Sequence, residues 1–180
     1  MLLSYTELME LVEQCVITAD PSLVNGASID VRLDDTVMVE NVSHGVERII
    51  DLSQKEELSM ILTTIPENGL VLKPNQFILA STVEEFNLPN DIACEFKLKS
   101  SIARAGLNHL LAGYADPGWH NSKLTLELKN NCEYHSLLLK AGMKIGQMIF
   151  YRVKPVPYEH SYAVKGRYNN TTEVTGSKGV

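Results

Sequence analysis

The chain has 180 residues, 44% of them apolar and 21% charged, with a formal net charge of −6 at pH 7. That length suffices for one domain with a real core, and no apolar run is long enough to cross a membrane as a helix. The acidic balance excludes a broad nucleic-acid or acidic-membrane surface, which needs a clustered basic face, yet it leaves room for a nucleotide held by a few cations.

The opening MLLSYTELMELVEQ carries acids where a secretory leader needs a basic stretch, so a cytoplasmic location is expected. Ser4-Tyr5-Thr6-Glu7 fits a capping box, and Leu8, Leu11, Val12 and Cys15 recur at helical spacing, which predicts a helix over roughly residues 5–15. Beyond it the texture is β. SIDVRL sets Ile29, Val31 and Leu33 against Ser28, Asp30 and Arg32. TVMVENV, GLVL, QFILAST, IACEFKLK, KLTLELK and GQMIFYRV follow as further short strands between Gly, Pro, Asn and Asp turns. Strands at this spacing predict a mainly β sandwich or barrel rather than βα units. Cys15, Cys94 and Cys132 are odd in number, far apart and without zinc-ligand spacing, so each is expected as a small buried hydrophobe. From Pro155 onward apolar periodicity fades. That fits a loose terminus, while Tyr162, Lys165, Arg167, Tyr168 and Asn170 would suit an arm closing over an anionic ligand.

Residues 99–130, KSSIARAGLNHLLAGYADPGWHNSKLTLELKN, hold most of the candidate chemistry. Leu124, Leu126 and Leu128 point to one face of a half-buried strand and Thr125, Glu127 and Lys129 to the other. On alternation alone Glu127 reads as a solvated glutamate beside lysines. In ADPGW, Asp116 initiates a turn, Pro117 presets φ and Gly118 permits positive φ; a turn aspartate ordinarily caps its own backbone. KSSIARAG gathers Lys99, Ser100, Ser101 and Arg104 after a strand, and a short helix beginning near Ser100 would suit phosphate. The zinc deaminase signature requires Pro-Cys-x-x-Cys, and no Cys-x-x-Cys exists here.

Together, SSIARAGL, AGYADPGW and LTLELKN strongly resemble the dCTP deaminase branch of the dUTPase-like superfamily. NGASIDVRL, LPNDIACEFKLKSS and AGMKIGQMIFYR resemble the same family in the same order. The resemblance treats residues 1–180 as one domain with 155–180 as a C-terminal arm. It implies a distorted β-barrel or jelly-roll subunit with an N-terminal helix, a homotrimer with active sites between subunits, and an arm that folds over nucleotide. The implied reaction is hydrolysis of dCTP to dUTP and ammonia, with no zinc at the reacting carbon and Mg2+ arriving through the triphosphate. Without a metal, a carboxylate must take the proton of the attacking water. By resemblance Glu127 is that base, Ser100 and the Ala112 carbonyl hold the water, and Arg104 stabilises charge around it. Asp116 orients the deoxyribose through its 3′-hydroxyl. Lys99 meets phosphate, and Ser101, Thr125 and Thr171 join the substrate-binding set. Tyr162 and Arg167 represent the arm, with Gly176 and Ser177 behind them.

The chain also departs from the family pattern. Lys99 replaces the usual arginine, offering a point charge for a bidentate guanidinium. Leu111 replaces a threonine at a place linked to feedback by dTTP, so inhibition by dTTP is left open. The span from the turn to Glu127 is one residue longer than usual, and Thr171 stands where glutamine is frequent. The leading expectation is therefore a dCTP deaminase that releases dUTP. The alternative is a bifunctional enzyme that continues to dUMP and pyrophosphate. A plain dUTPase would not require Glu127 and ordinarily ends in a glycine-clustered arm with a phenylalanine. A non-catalytic nucleotide-sensing trimer would have no need of Ser100, Arg104 and Glu127 together.

Overall fold

The computed structural model describes residues 1–42, 47, 49–54, 56 and 58–178. Its strands are β1 (Ile29–Glu40), β2 (Met60–Thr64), β3 (Leu70–Leu72), β4 (Phe77–Asn87), β5 (Ile92–Leu98), β6 (Leu107–His109), β7 (Tyr114–Ala115), β8 (His120–Asn130), β9 (Leu137–Leu139) and β10 (Lys144–Arg152). The main sheet runs β6-β8-β4-β1-β10-β5-β7, with β2 also paired to β1, and β3 pairs β9 separately. Its curl comes largely from β1. Residues 29–32 pair with β10 and residues 33–39 with β4, and the register shifts between Val31 and Arg32 and again between Leu33 and Val37. Such irregularities bend a strand and increase its twist, which lets one strand serve two parts of a barrel. The blocks SIDVRL and TVMVENV, predicted as two strands, are therefore one. The result is the mainly β, distorted half-barrel expected, with an N-terminal helix.

That helix, α1 (Tyr5–Glu13), begins as read: the Glu7 carboxylate accepts from the Ser4 N–H at 3.0 Å and from its hydroxyl at 3.2 Å. It stops short of residue 15 because Cys15 takes φ +56, a left-handed conformation that no helix continues. This also corrects the cysteine expectation. Only Cys94 is buried, Cys15 is exposed at the helix exit, Cys132 is partly buried, and all three thiols are free. Desolvation pushes the Cys94 thiol far up, so it remains an inert hydrophobe.

Leu8 and Leu11 of α1 pack with Ile29, Val31 and Leu33 of β1, Phe86 of β4, Phe96 of β5, Leu126 and Leu128 of β8, and Met148 and Phe150 of β10. Three charged residues of β1 are taken up by ion pairs: Asp30 with Lys99 and Lys144, Arg32 with Glu84, and Asp34 with Lys123. Glu84 is fully buried and accepts both the Arg32 backbone N–H and Nε at 2.8 Å, so a charge that would be costly alone is satisfied on both oxygens. No helix among the described residues is long and apolar enough to cross a membrane.

Phe86 is wholly buried and stacks on Trp119, with ring centroids 5.1 Å apart. Phe86→Ala should lower stability by about 3–5 kcal/mol, read as a fall in the urea midpoint with an unchanged slope. A midpoint equal to wild type would mean this stack is not part of the core.

Candidate active site

Strand β8 divides its side chains as its alternation requires. Ser122, Leu124, Leu126, Leu128 and Asn130 are buried, while Lys123, Thr125, Glu127 and Lys129 stand on the opposite face. Glu127 is not a solvated surface acid. Leu79 lies opposite it in the β4–β8 register, and its Oε2 is 3.2 Å from Nε2 of His109, a side chain only 4% exposed. Neither atom completes an aligned hydrogen bond in the protein. The two atoms face each other across this buried contact, and the Glu127 side chain as a whole remains 26% exposed on the cavity side.

His109 reaches this position because β6 pairs with β8, setting His109 across from Leu128. Its ring leans on Phe96 with centroids 4.7 Å apart. A Cβ on Gly113 would come within 2.7 Å of Phe96 Cβ and 3.2 Å of His109 Cε1, so this contact requires glycine there. Between the two, the Leu110 N–H donates to the Glu127 carbonyl at 3.1 Å. Leu111 then turns out to solvent with φ +66, a conformation costing a branched residue roughly 1–2 kcal/mol. Ala112 follows on the wall of the cavity that Glu127 faces.

The cavity has a volume of about 570 Å³. Lys123, Thr125 and Glu127 form its polar side and Met60, Phe77 and Leu79 part of its apolar side. The tail adds Tyr162, Tyr168, Thr171 and Thr175 to the lining, and it is firmly fastened. The Trp119 indole N–H donates to the Tyr168 carbonyl at 2.9 Å, and the Ser122 hydroxyl donates to the same oxygen at 3.0 Å. The Lys123 N–H donates to the Thr171 carbonyl at 2.8 Å, and the Thr175 N–H to Thr125 Oγ1 at 3.3 Å. Further back, α2 (Ser100–Arg104) is followed in sequence by a second short helix, α3 (Tyr162–Lys165), which opens the tail. The Ser161 hydroxyl donates to Asn90 Oδ1 at 2.6 Å, and the Tyr162 N–H to the Pro117 carbonyl at 3.0 Å. Gly118 makes this possible: at φ +89, an added Cβ would lie 1.9 Å from Ser161 Oγ. The tail is not loose: the side chains of Trp119, Ser122 and Thr125 and the backbone N–H of Lys123 hold it by its backbone. Burial pushes the Tyr162 phenol above its ordinary value, which keeps it a proton donor.

Of the residues singled out from the sequence, Ala112, Thr125, Glu127, Tyr162, Thr171, Gly176 and Ser177 all line this cavity. Asp116 lines an adjoining recess of about 360 Å³ with His160, Tyr162 and Lys165, so Tyr162 has a face in each. Lys99, Ser100, Ser101, Arg104 and Arg167 line neither. The helix α2 does begin at Ser100, with Ser100, Ser101 and Arg104 exposed. Sequence reasoning missed His109 and Lys123. Their spacing carries no signal, since both acquire their place only through strand register. No cluster of three or more His, Cys, Asp or Glu side chains suited to a metal ion forms among the described residues.

Over residues 2–153 the sequence matches the dCTP deaminase-like family. A protein from Kocuria rhizophila named dCTP deaminase, dUMP-forming, is 37% identical over 153 residues, covering 84% of this chain and 77% of that protein. One of the same name from Mycobacterium marinum is 40% identical over 149 residues, covering 82% of this chain and 76% of that protein. Among solved structures, the 2′-deoxycytidine 5′-triphosphate deaminase from Agrobacterium tumefaciens aligns with a TM-score of 0.66 at 17% identity. The alignment covers 85% of this chain but 48% of that one, so this chain spans about half its length, and at that identity the likeness speaks for the fold. With the sequence match spanning most of its length and relatives this similar, the chain belongs to the dCTP deaminase-like family.

Proposed function

We propose that this protein converts dCTP, taken as its magnesium complex, into dUMP, ammonia and pyrophosphate in two hydrolytic steps. The names of the relatives favour this bifunctional reading over release of dUTP as the end product. The observation that carries the reading is Glu127: a carboxylate on a cavity wall, backed by a buried histidine and sharing the cavity with Ala112. In the first step water adds to C4 of cytosine. Glu127 accepts the water proton, passes it to the ring nitrogen N3, and a further proton transfer lets C4–N4 break with ammonia as the leaving group. In the second step water attacks phosphorus, dUMP and pyrophosphate separate, and Asp116 is the carboxylate assigned to that water. Asp116 also orients the deoxyribose. Thr125, Tyr162 and Thr171 contact the nucleotide, and Lys99, Ser101 and Arg167 meet its phosphates. Magnesium would arrive with the triphosphate and offset its charge, with no dedicated protein cage required. His109 is a positioning residue for Glu127.

Ser100 and Arg104 complete the reading only if a second copy supplies them. They are exposed on α2 and absent from the lining of the Glu127 cavity of their own chain, which supports active sites shared between subunits of a homotrimer.

Glu127→Gln keeps shape and loses the base, so ammonia release from dCTP should fall by about 10²–10⁴-fold with the fold intact. The same assay follows pyrophosphate and dUMP: stoichiometric dUMP from the wild type supports the two-step reading, and accumulation of dUTP alone returns the protein to a single deamination.

Shared sites predict complementation. Inactive Ser100→Ala/Arg104→Ala and inactive Glu127→Gln proteins, mixed after partial denaturation and refolding, should regain activity, because some hybrid sites receive all native groups. No recovery in hybrids verified by mass would place the whole site in one chain.

His109→Ala should lower kcat by about 10²-fold while KM changes little, since a carboxylate displaced by an ångström loses its alignment. A fall in kcat with KM unchanged separates a positioning role from a general loss of folded protein, and an unchanged kcat would remove His109 from the mechanism.

A further inference from the structure

Lys123 is the only cation among the described residues that line the Glu127 cavity. Glu85 of β4 lies across from it in register, yet its ammonium pairs with Asp34 of β1, with Nζ 2.7 Å from Oδ2. The sheet order there is β8-β4-β1, so the lysine stem crosses β4 to reach a carboxylate two strands away. Ser81 of β4 marks the meeting point. It is wholly buried, and its hydroxyl donates to the same Asp34 oxygen at 3.3 Å. The other oxygen, Oδ1, accepts the Asp35 N–H at 2.9 Å. The carboxylate is thus tied to three donors, whereas the ammonium gives it one of its own three.

That meeting point has a fixed relation to Glu127. Ser81 is across from Thr125 in the β4–β8 register, and Leu79 is across from Glu127. The ammonium therefore sits one row from the carboxylate, about 7 Å along the strands and about 5 Å across them. A pyrimidine nucleotide has a comparable reach from C4, over the sugar, to its α-phosphorus, and the β- and γ-phosphates extend beyond. With C4 presented to Glu127, the phosphate group nearest Lys123 is the α-phosphate. The Lys123 and Asp34 side chains are 18% and 15% exposed. A charge-assisted contact to a phosphate oxygen is stronger in such a place than in bulk water.

We propose that Lys123 binds the α-phosphate of the nucleotide and stabilises it during the second hydrolytic step, with Asp34 and Ser81 as its positioning residues. The proposal rests on the two-step reading above and adds a group at the reacting phosphorus. The water oxygen bonds to the α-phosphorus, the bond from that phosphorus to the bridging oxygen breaks, and its electron pair leaves with pyrophosphate. The water proton passes to Asp116 and then to solvent. Negative charge on the non-bridging oxygens stays beside the ammonium throughout, and a cation already held in place needs no reorganisation at that moment.

The test begins with calorimetry on the full chain carrying Glu127→Gln, which prevents deamination, with deoxycytidine and dCMP as probes. Lys123→Met keeps the apolar stem and removes the charge. It should weaken dCMP about three- to tenfold and leave deoxycytidine within about twofold, and Lys123→Arg should restore most of the loss. Removing one partner of a withdrawn ion pair leaves the other uncompensated. The double variant Lys123→Met/Asp34→Asn is therefore measured as well, with circular dichroism verifying its fold, and should show the same loss. With native Glu127 and dUTP as substrate, Lys123→Met should lower kcat for pyrophosphate release by about 10²-fold. An unchanged dCMP affinity, an equal loss for deoxycytidine, or recovery in the double variant overturns the contact. Unchanged pyrophosphate release overturns its part in the second step. If the wild type frees ammonia from dCTP but no pyrophosphate, the two-step reading falls together with that part, and the dCMP comparison still decides the contact.

Discussion

The register of β8 is the constraint on which the site depends. Side chains along a strand alternate with a period of two, so a slip of one residue would exchange Leu126 for Glu127 across the sheet. Leu126 and Leu128 are fully buried and Leu124 nearly so, each contributing roughly 1.5–3 kcal/mol by leaving water. A slipped strand would lose those contributions and bury Thr125, Glu127 and Lys129 in their stead. The core thereby aims the carboxylate. The same strand also receives the tail through Ser122, Lys123 and Thr125, so core, carboxylate and tail share one alignment.

Much of this was legible in the sequence, and the reason differs by element. The capping box of α1, the leucine alternation of β8 and the Asp116–Gly118 turn are local patterns, and each appears where its residues set it. Features requiring a partner were not legible. LNH at 107–109 is too short to read as a strand, yet pairing with β8 makes it one and delivers His109 to Glu127. MILTT at 60–64 likewise becomes a strand only against β1. The tail has almost no apolar periodicity because its order comes from backbone hydrogen bonds to β8 and its approach, not from a buried stripe. A pattern search tuned to hydrophobic spacing reads such a segment as loose.

The family motifs fall into two groups that one subunit does not bring together. Glu127, Ala112 and Tyr162 share a cavity, whereas Ser100, Ser101 and Arg104 lie exposed on α2. A five-residue helix bearing two hydroxyls and a guanidinium at its surface contributes little to its own fold; only Ile102 is partly buried. Such a concentration of polar groups, positioned by β5 and β6 on either side, is an expensive feature to maintain for solvent alone. On the shared-site reading proposed above, this surface would complete the cavity of a second copy.

Strand β1 supplies the mechanical link between these two groups. Asp34 holds Lys123 at the cavity with an oxygen–nitrogen distance of 2.7 Å, and Asp30 holds Lys99 before α2 at the same distance. The two carboxylates sit four residues apart on one strand, about 13 Å of extended backbone. Both ion pairs are largely withdrawn from water, where screening by salt is weak. A shift of β1 along its axis would move both lysines together. The strand that bends the barrel therefore also fixes the spacing, within one chain, between the cavity beside Lys123 and the surface of α2 beside Lys99, the two parts that the shared-site reading proposed above would combine.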